Sequence, residues 1–347
     1  CIRDRRRGEA ADPSANDHHP WCPMAPHRFR VAFGFEASIL HDTITCNANL
    51  TLGAGEAPMD FSLRIEKTLQ DAISKAGGPP CPPKLAAALR YAVFPGGARV
   101  RPRLSLAVAQ ACGDRFPALA DAAAASIELL HCASLVHDDL PCFDDADVRR
   151  GKPALHKEFG EPLAVLTGDA LIVLAFESLA SSASEAPDRL AALLLILGQS
   201  VGGPSGICAG QAWETEDTVP LAEYHRAKTG SLFAAATVAG ALAAGAEPSQ
   251  WRRLGECLGE AFQVADDICD VTADPEKSGK PGSQDITHDR PNAVQQLGLE
   301  GAARSLQALL HEAMDSIPPC EGAQQLRTVI AVQSQPYMPT GFGQRAA

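Results

Sequence analysis

Apolar residues recur at helical spacing along most of the chain. In the sequence MDFSLRIEKTLQDAISKAG, residues 59–77, Ile65, Leu69 and Ile73 lie four positions apart with charged residues between them. A Gly-Gly-Pro sequence follows almost at once and interrupts the pattern. The segment therefore predicts an amphipathic helix with a defined end.

The same periodicity returns in longer runs, separated by short segments that contain Gly, Pro and Asp. The longest runs cover residues 118–140, 162–181, 221–245 and 251–272. No run alternates apolar and polar residues with the two-residue period of a half-buried β-strand. We therefore predict an all-α domain at residues 59–318, with many helices around one core. Residues 1–58 are predicted as a poorly ordered extension and residues 319–347 as a C-terminal tail.

Composition narrows the partners that this domain can have. Apolar residues make up 46% of the 347 residues and aromatic residues only 5%, which favours packed helices over sheets. Lys and Arg number 30 against 42 Asp and Glu, giving a net charge of −12. Such a chain is a poor general partner for nucleic acid or an anionic membrane, so any phosphate site has to be built locally.

The location of the protein is predicted from three features. No apolar stretch is expected to reach the ~18 residues of a membrane span, and the N-terminal residues lack the apolar core of a secretion signal. The 11 cysteines are odd in number, scattered and without a CxxC pair, which predicts free thiols in a reducing compartment. We therefore expect a cytoplasmic protein without a membrane span.

A cluster of carboxylates ends the longest predicted helix. Asp138, Asp139 and Asp144 lie in DDLPCFD, and Arg149 and Arg150 follow shortly afterwards. Because the C-terminus of a helix carries partial negative charge, acidic residues there are repelled by the helix as well as by each other. This arrangement predicts cation binding, although a solvated helix end is the simpler explanation for one such cluster alone.

A second acidic cluster, FQVADDICD, lies far away in the sequence. Its Asp266 and Asp270 share one helical face because they are four residues apart, and Gln263 lies one turn earlier on that side. Carboxylate oxygens suit Mg²⁺, which commonly shares its coordination shell with substrate phosphates. Two such clusters facing one cavity predict Mg²⁺ ions around a diphosphate, with guanidinium groups on the other phosphate oxygens.

Two other kinds of metal site fit the sequence less well. The segment DDADVRRGKPAL does not have the pattern of a calcium loop, which combines acidic residues at alternate positions with a Gly and a terminal Glu. A zinc site would have to draw on residues without standard ligand spacing, namely His131, Cys132, His137, Cys142 and His156.

Three further motifs carry basic or polar residues. FPGGARVRPRL places Arg101 and two other arginines after a pair of glycines, which allow close approach of the backbone to a ligand. YHRAKTG contains Lys228 and Thr229, and ICAGQAWE contains Gln211. Each motif alone is explained as well by structure or solvation, but together with two acidic clusters they indicate a diphosphate site.

On these motifs the chain resembles the trans-isoprenyl diphosphate synthases of the polyprenyl synthetase family. DDLPCFD followed by RRGKPALH, the later DDICD, and GGARVRP, AKTG, FQVADD and GKPGSQDI stand in the family's order over about residues 60–318. FPGGARVRP, HCASLVHDDLP and ICAGQAWE are most similar to geranylgeranyl diphosphate synthases of bacterial carotenoid and bacteriochlorophyll pathways. The resemblance implies an isoprenoid-synthase helical bundle around a central apolar cavity.

The resemblance also implies an activity. It is the Mg²⁺-dependent head-to-tail condensation of isopentenyl diphosphate with an allylic diphosphate (dimethylallyl, geranyl or farnesyl) by a homodimer, with geranylgeranyl diphosphate as the expected product. A farnesyl diphosphate synthase would differ only in where the product stops. A non-catalytic regulatory subunit of a heteromeric prenyl synthase would tend to lose the acidic motifs. A class I terpene cyclase would have a different second metal motif. DDICD together with GGARVRP argues against a cyclase, whereas the farnesyl diphosphate synthase and the regulatory subunit stay open as alternatives.

Roles follow from the resemblance position by position. The implied metal ligands are Asp138, Asp139, Asp144, Asp266, Asp267 and Asp270. The implied substrate-binding residues are Gly97, Arg101, His131, Arg149, Arg150, Gln211 and Lys280. The residues implied to act on the allylic diphosphate and the developing cation are Lys228, Thr229 and Gln263. One departure is Ala98, where the family has Lys. Either Arg99 or Arg103 compensates for this contact, or the site is looser.

Product length is predicted from the helix that leads to the first acidic cluster. In the family, bulky aromatic residues about one turn before the first aspartate stop growth at farnesyl diphosphate. Here those positions hold Ala133 and Ser134, which are both small. This predicts the longer geranylgeranyl product, although Ala133 could equally be a small residue for helix packing.

Overall fold

Helices form nearly all of the regular structure in residues 61–272 and 293–334, the residues that the computed structural model describes. The bounds are α1 Phe61–Ala76, α2 Pro83–Val93, α3 Val100–Ala111, α4 Pro117–Asp138, α5 Leu155–Phe159, α6 Glu161–Ser182, α7 Pro187–Val201, α8 Ile207–Ala212, α9 Leu221–His225, α10 Ser231–Ala244, α11 Arg252–Thr272, α12 Ala293–Asp315 and α13 Ala323–Ser334. The predicted all-α class is confirmed. The predicted extension at residues 1–58 lies outside the described residues.

Prolines start several of these helices. Pro117, Pro162 and Pro187 lie within the first two positions of α4, α6 and α7. Proline is well suited to this position because its φ is already helical and its missing N–H would have no partner in the first turn. The sequence thus fixes where three of the long core helices begin.

Helix α4 lies at the centre of the core. It packs against α3, α6 and α10, and α10 is buried from Leu232 to Ala244. Helices α3 and α10 cross so closely that a Cβ atom on Gly240 would lie 2.3 Å from the carbonyl oxygen of Ser105. This packing brings the end of α4, the start of α10 and the second half of α11 to one region, where both acidic motifs lie.

Two short elements interrupt the helical pattern. The strands β1 Val148–Arg149 and β2 Lys152–Pro153 pair antiparallel, and the turn between them has positive φ at Arg150 and Gly151. Positive φ at both central residues is the signature of a tight type I′ hairpin. A π-helical turn, Arg226–Gly230, joins α9 to α10. Neither element was predicted from the periodicity.

Three helical segments are long and apolar enough to cross a membrane by length and composition alone, namely Pro117–Asp138, Glu161–Glu185 and Ala222–Ala244. The expectation that no stretch reaches this length is therefore wrong. The first and third windows are 78% and 89% buried inside the protein, so core packing accounts for their apolar character. The second window is only 39% buried, so core packing does not account for the apolar residues on its exposed side.

The body of the protein continues beyond residue 318. The backbone N–H of Gly322 donates to the carbonyl oxygen of Ala111 at 3.1 Å, which ties the start of α13 to the end of α3. Leu326 and Ile330 of α13 are buried. The part of the predicted tail that forms α13 therefore packs against the helical body.

Candidate functional site: two acidic motifs joined through Lys228 and Thr229

The first acidic motif is a turn that folds back onto the end of α4. The N–H of Asp144 donates to the carbonyl oxygen of Asp138 at 3.0 Å, and the N–H of Ala146 donates to that of Asp139 at 3.2 Å. These bonds satisfy carbonyl groups that the end of a helix leaves without partners. The turn thereby brings Asp144 close to Asp138, and all three aspartates are buried.

Burial controls the protonation of the first two aspartates. Desolvation raises the pKa of Asp138, against the opposing charges of Lys228 and Arg149. The pKa of Asp139 is also raised by burial, although its hydrogen bond with Arg149 acts in the other direction. These carboxylates are therefore short of positive charge, and a cation between them would relieve the deficit.

Arg149 supplies part of this positive charge from the β-hairpin. The Nε of Arg149 donates to both carboxylate oxygens of Asp139, at 3.0 and 3.2 Å. Its Nη2 also donates to Oδ1 of Asp139. Lys152, on the other strand, donates from Nζ to the backbone oxygens of Tyr91 and Phe94 at 3.0 and 2.8 Å. The hairpin is thus anchored to the end of α2 and holds Arg149 over the acidic turn.

Lys228 lies between two carboxylates. Its Nζ donates to Oε1 of Glu214 and is 3.6 Å from Oδ1 of Asp138. Glu214 also accepts hydrogen bonds from the Tyr224 hydroxyl at 2.7 Å and from Nε2 of Gln211 at 2.9 Å. Charge-assisted hydrogen bonds of this kind hold an ammonium group in place. The structure therefore gives Lys228 a defined position next to the first acidic motif.

The backbone around Lys228 is unusually close to its neighbours. Lys228 and Thr229 belong to the π-helical turn, a feature that is frequent at functional sites. A Cβ atom on Gly210 would lie 2.5 Å from the backbone nitrogen of Lys228, so α8 can approach the turn only because glycine stands there. Gln211, the next residue, is positioned by the same close approach.

The second acidic motif is connected to the first through the neighbouring residue, Thr229. The Thr229 hydroxyl donates to Oε1 of Gln263 at 3.4 Å, and Nε2 of Gln263 donates to Oδ1 of Asp267 at 3.2 Å. The Asp267 carboxylate also accepts a hydrogen bond, at 2.8 Å, from the backbone N–H of Ala293, which is the first residue of α12. Consecutive residues of the π-turn thus contact both motifs, so the two acidic clusters belong to one site.

Some predicted residues of this second wall are described only in part. Asp266 lies in α11 beside Asp267. Asp270 lies in the same helix, but its side chain is outside the described residues, as is the whole of Lys280. Their predicted roles therefore stay predictions.

Arg101 and His131 form the third part of the site. The Arg101 guanidinium and Nε2 of His131 are 3.4 Å apart, and the guanidinium carbon lies 4.8 Å from the centre of the Phe233 ring. Both residues are partly exposed. This pair connects the start of α3 to α4, and the substrate-binding role that the resemblance implies for both residues stays a prediction.

A cleft lies on the outer side of the acidic turn. It is bounded by α2, α4 and the hairpin. Its polar lining includes Asp139, Arg149 and Arg150, and its apolar lining includes Leu135 and Val136. Arg150 therefore faces the same region as Arg149, whereas Gly97 lies in the loop that precedes α3.

The suggestion that Arg99 replaces the missing family lysine at position 98 is wrong. Arg99 is 6% exposed and donates to Glu66 at 2.8 Å, to Glu128 at 2.6 Å and to the backbone oxygen of Val93 at 2.9 Å. A Cβ atom on Gly96 would lie only 2.1 Å from the guanidinium carbon. This glycine therefore makes room for an internal ion pair.

The two residues predicted to set product length lie in α4. Ala133 is 1% exposed and belongs to the main core. Ser134 is partly buried, and its hydroxyl donates to the backbone oxygen of His131 at 2.8 Å. Neither side chain adds bulk to the helix before Asp138, and their role in setting product length stays a prediction.

Sequence reasoning missed Glu214 and Tyr224. Glu214 lies three residues after Gln211, and Tyr224 lies four residues before Lys228. Such spacings place side chains on one helical face and were available as signals. An isolated Glu in an acidic chain is nevertheless a weak signal, because most such residues are solvated.

A divalent cation fits the acidic turn. Oδ1 of Asp138 is buried and accepts no hydrogen bond from the described residues, and the surrounding donor set consists of carboxylate oxygens, which suit Mg²⁺. Within residues 61–272 and 293–334, no three His, Cys, Asp or Glu side chains converge closely enough to hold an ion. A Mg²⁺ ion at the acidic turn would therefore share its coordination shell with a bound diphosphate.

Comparison with known proteins places this site in a family. Residues 82–329 match the family model described as polyprenyl synthetase. The chain belongs to the polyprenyl synthetase family. This confirms the resemblance that the motifs indicated.

Individual polyprenyl synthetases are similar over most of the chain. It is 54% identical to the geranylgeranyl diphosphate synthase of Cereibacter sphaeroides, over 83% of this chain and 100% of that protein. It is also 54% identical to the synthase of the same name from Rhodobacter capsulatus, over 81% and 97%. A geranyltransferase from Helicobacter pylori, solved in complex with magnesium and isoprenyl diphosphate, matches with a TM-score of 0.64 at 31% identity, over 81% and 99%.

Proposed function

We propose that this polyprenyl synthetase catalyses Mg²⁺-dependent condensation of isopentenyl diphosphate with an allylic diphosphate to give geranylgeranyl diphosphate. The observation that carries the proposal is the link from Asp138 through Lys228 and Thr229 to Gln263 and Asp267. Two acidic walls joined by a fixed ammonium group suit a diphosphate coated with cations. The full-length similarity to proteins named geranylgeranyl diphosphate synthase supports the same product.

The reaction needs a group that stabilises the departing diphosphate. Asp138, Asp139 and Asp144 on one wall and Asp266, Asp267 and Asp270 on the other would hold Mg²⁺. When bound, Mg²⁺ supplies positive charge to the oxygens of the leaving group. Lys228 and Arg149 add fixed positive charge beside the first wall, which favours the same charge separation.

The bond changes then balance without a side-chain nucleophile. The allylic C–O bond breaks, and the isopentenyl double bond forms a new C–C bond with the allylic carbon. A proton leaves the isopentenyl unit, and the released pyrophosphate is a suitable acceptor. The Thr229 hydroxyl and the Gln263 amide present oxygen lone pairs to the region where positive charge develops. The apolar interior of the bundle excludes water that would quench this charge.

Isopentenyl diphosphate would bind at the basic face next to this site. Arg101 and His131 are 3.4 Å apart and, with Arg150 and the Gly97 backbone, provide donors for a second diphosphate. Gln211 contributes indirectly through its hydrogen bond to Glu214. Because Ala98 and the enclosed Arg99 offer no phosphate contact, Arg101 carries more of this binding.

Two small residues support geranylgeranyl rather than farnesyl diphosphate as product. Ala133 and Ser134 leave the α4 helix without a bulky side chain one turn before Asp138. The growing chain would therefore extend past this turn. A farnesyl diphosphate synthase remains the second candidate, because the site chemistry is the same and only the stopping point differs.

We further propose that the protein is a cytoplasmic homodimer that supplies a carotenoid pathway. The outer face of α6 and α7 presents Val165, Leu166, Val173 and Leu195, which are 42%, 54%, 56% and 63% exposed. An apolar face of this kind is uncommon on a monomer. A second copy of the chain, docked in a two-fold arrangement, would cover the same patch on both subunits.

The test is product analysis with the purified full chain. Isopentenyl diphosphate is incubated with dimethylallyl, geranyl or farnesyl diphosphate, with Mg²⁺ or with EDTA, and the dephosphorylated product is identified by mass. We expect geranylgeraniol with Mg²⁺ only. The Asp138→Asn variant should be inactive, whereas Asp147→Asn, at a side chain that is 83% exposed, should be active. Farnesol alone would favour the second candidate, and no condensation at all would refute the proposal.

A further inference from the structure

His137, the residue before the first acidic motif, is held in a notch on α6. Its Nε2 lies 3.2 Å from the backbone oxygen of Val165 and 3.6 Å from the carboxylate of Asp169. A carbonyl oxygen only accepts hydrogen bonds, so Nε2 of His137 is the donor in its contact with Val165. The side chain is 28% exposed, so most of the ring is enclosed.

Gly168 creates the notch. A Cβ atom at this position would lie 2.1 Å from Nε2 of His137 and 2.4 Å from its Cδ2. Glycine in the middle of a helix such as α6 is less favourable than alanine, so its presence requires a local reason. The imidazole ring that fills the space is that reason, and even a methyl group would expel it.

A second hydrogen bond ties α4 to α6 further from the site. The Ser126 hydroxyl lies 2.7 Å from the backbone oxygen of Ala175 on α6 and 2.7 Å from that of Ala122 in its own helix, so the two oxygens share its single proton. The two helices run antiparallel, and Ser126 is 11 residues before His137 while Ala175 is 10 residues after Val165. The helices are therefore fixed at two points, one deep in the core and one at the end of α4.

The end of α4 needs such an anchor. Asp138 and Asp139 add like charges at a helix C-terminus, which the helix dipole disfavours, and the last turn of a helix is where unwinding begins. Apolar packing holds the middle of α4, but it cannot fix the direction of two buried carboxylates at the end. A hydrogen bond from the residue directly before them can.

We propose that His137 is a positioning residue, which locks into the Gly168 notch of α6 and so fixes Asp138 and Asp139 for binding of a metal-diphosphate complex. The proposal rests on the proposed function for the identity of that complex. Substitution of residues that orient metal ligands commonly lowers metal affinity by about 10- to 100-fold. The notch also lies on the same helix as Val165 and Leu166, so the acidic turn is braced against the helix that presents the apolar outer face.

The test compares His137→Leu, His137→Gln, Gly168→Ala and Ser126→Ala in the full chain. His137→Leu removes the donor, His137→Gln keeps one at a similar reach, and Gly168→Ala expels the ring without touching α4. Ser126→Ala removes the distant hydrogen bond as a matched control. Binding of Mn²⁺ in the presence of inorganic pyrophosphate is measured by calorimetry, and amide hydrogen exchange is followed at Asp144 and Ala146.

We expect His137→Leu and Gly168→Ala to weaken Mn²⁺ binding by about tenfold and to speed exchange at both amides. His137→Gln should stay close to wild type. Ser126→Ala should lower the melting temperature but leave Mn²⁺ binding unchanged. If His137→Leu does not fold, Gly168→Ala against His137→Gln makes the same comparison.

Wild-type Mn²⁺ affinity in both Gly168→Ala and His137→Leu would overturn the proposal, and so would an equal loss in Ser126→Ala, which would indicate general loosening. Condensation assays on the same proteins separate the two proposals. If the expected Mn²⁺ pattern appears in a protein that forms no prenyl product, the anchor stands and the proposed function fails.

Discussion

Lys228 donates a hydrogen bond to Glu214, with the ammonium group held 3.6 Å from Asp138. The side chains of Lys228 and Glu214 are 6% and 12% exposed, respectively. Removing one partner of a buried ion pair leaves the other charge uncompensated. Glu214 therefore decides whether Lys228 stays beside the acidic turn or is drawn fully onto Asp138.

This relationship predicts the effect of Glu214→Ala. Lys228 should pair directly with Asp138 and compete with cation binding, so kcat/KM for the allylic substrate should fall by about 100-fold, or ~2.7 kcal/mol. Steady-state kinetics at saturating Mg²⁺ provide the measurement. Glu216→Ala, at an exposed position nearby, serves as the control. Equal activity of Glu214→Ala and wild type would contradict the assignment.

Product length should respond to the volume at position 133. Ala133 is 1% exposed, so Val and then Phe should shorten the product stepwise, with Ala133→Phe giving mainly farnesyl diphosphate. Overpacking should also cost about 1–3 kcal/mol of stability, so assays are run well below the melting temperature. Mass analysis of the products provides the measurement. If folded Ala133→Phe still makes geranylgeranyl diphosphate, Ala133 serves helix packing alone.

Metal and diphosphate should stabilise the protein only together. In the described residues no three candidate ligands converge on one point, so Mg²⁺ alone should hardly move the melting temperature. Mg²⁺ with pyrophosphate at a hundredfold excess over Kd should raise it by about 5 °C. Differential scanning calorimetry tests this, and Asp138→Asn should remove the shift. A full shift with Mg²⁺ alone would show a preformed metal site.

The proposed homodimer predicts which surface leucine matters. Leu166→Glu on α6 should yield monomers, because it places a charge in an apolar interface. Leu63→Glu, at a position on α1 that is 70% exposed, should remain dimeric. Light scattering after gel filtration distinguishes the two masses. Dimers of undiminished stability in Leu166→Glu would move the interface elsewhere.

Alkaline pH should destabilise the protein partly through Cys112. Burial raises the pKa of this thiol to about 12, from an ordinary value of 9.0, so the folded state keeps a proton that the unfolded state loses. The contribution of Cys112 to stability is complete below about pH 9 and is lost as pH rises towards 12. Cys112→Ala should flatten the fall in unfolding free energy over this range. Cys142→Ala, at an exposed thiol, should not.

The helices were predictable because local signals and packing agree in this chain. The apolar run that forms α4 starts at Pro117 and is 78% buried, so periodicity and proline placement were sufficient. The acidic motifs were predictable for the opposite reason: Asp138 and Asp139 are unfavourable where they stand, and an unfavourable placement points to a ligand.

What the sequence could not reveal depends on long-range pairing. Arg99 and Arg101 look alike in GGARVRP, yet Arg99 binds Glu128 in the core while Arg101 meets His131 at the site. Only the fold decides which arginine turns inward. Glu214 was missed for the same reason, since its partner Lys228 lies 14 residues away across a break in the helices.

The π-helical turn at Arg226–Gly230 has a consequence for how this protein tolerates change. Such a turn holds one residue more than regular α-helix needs, and the surplus presents Lys228 and Thr229 towards opposite acidic walls. Deleting a single residue here would let α9 and α10 merge into one regular α-helix with both flanking helices in register, but it would remove the extra residue that turns Lys228 and Thr229 towards different motifs. The shortened protein would be more stable but catalytically inactive. The irregular backbone at Arg226–Gly230 is therefore required for activity.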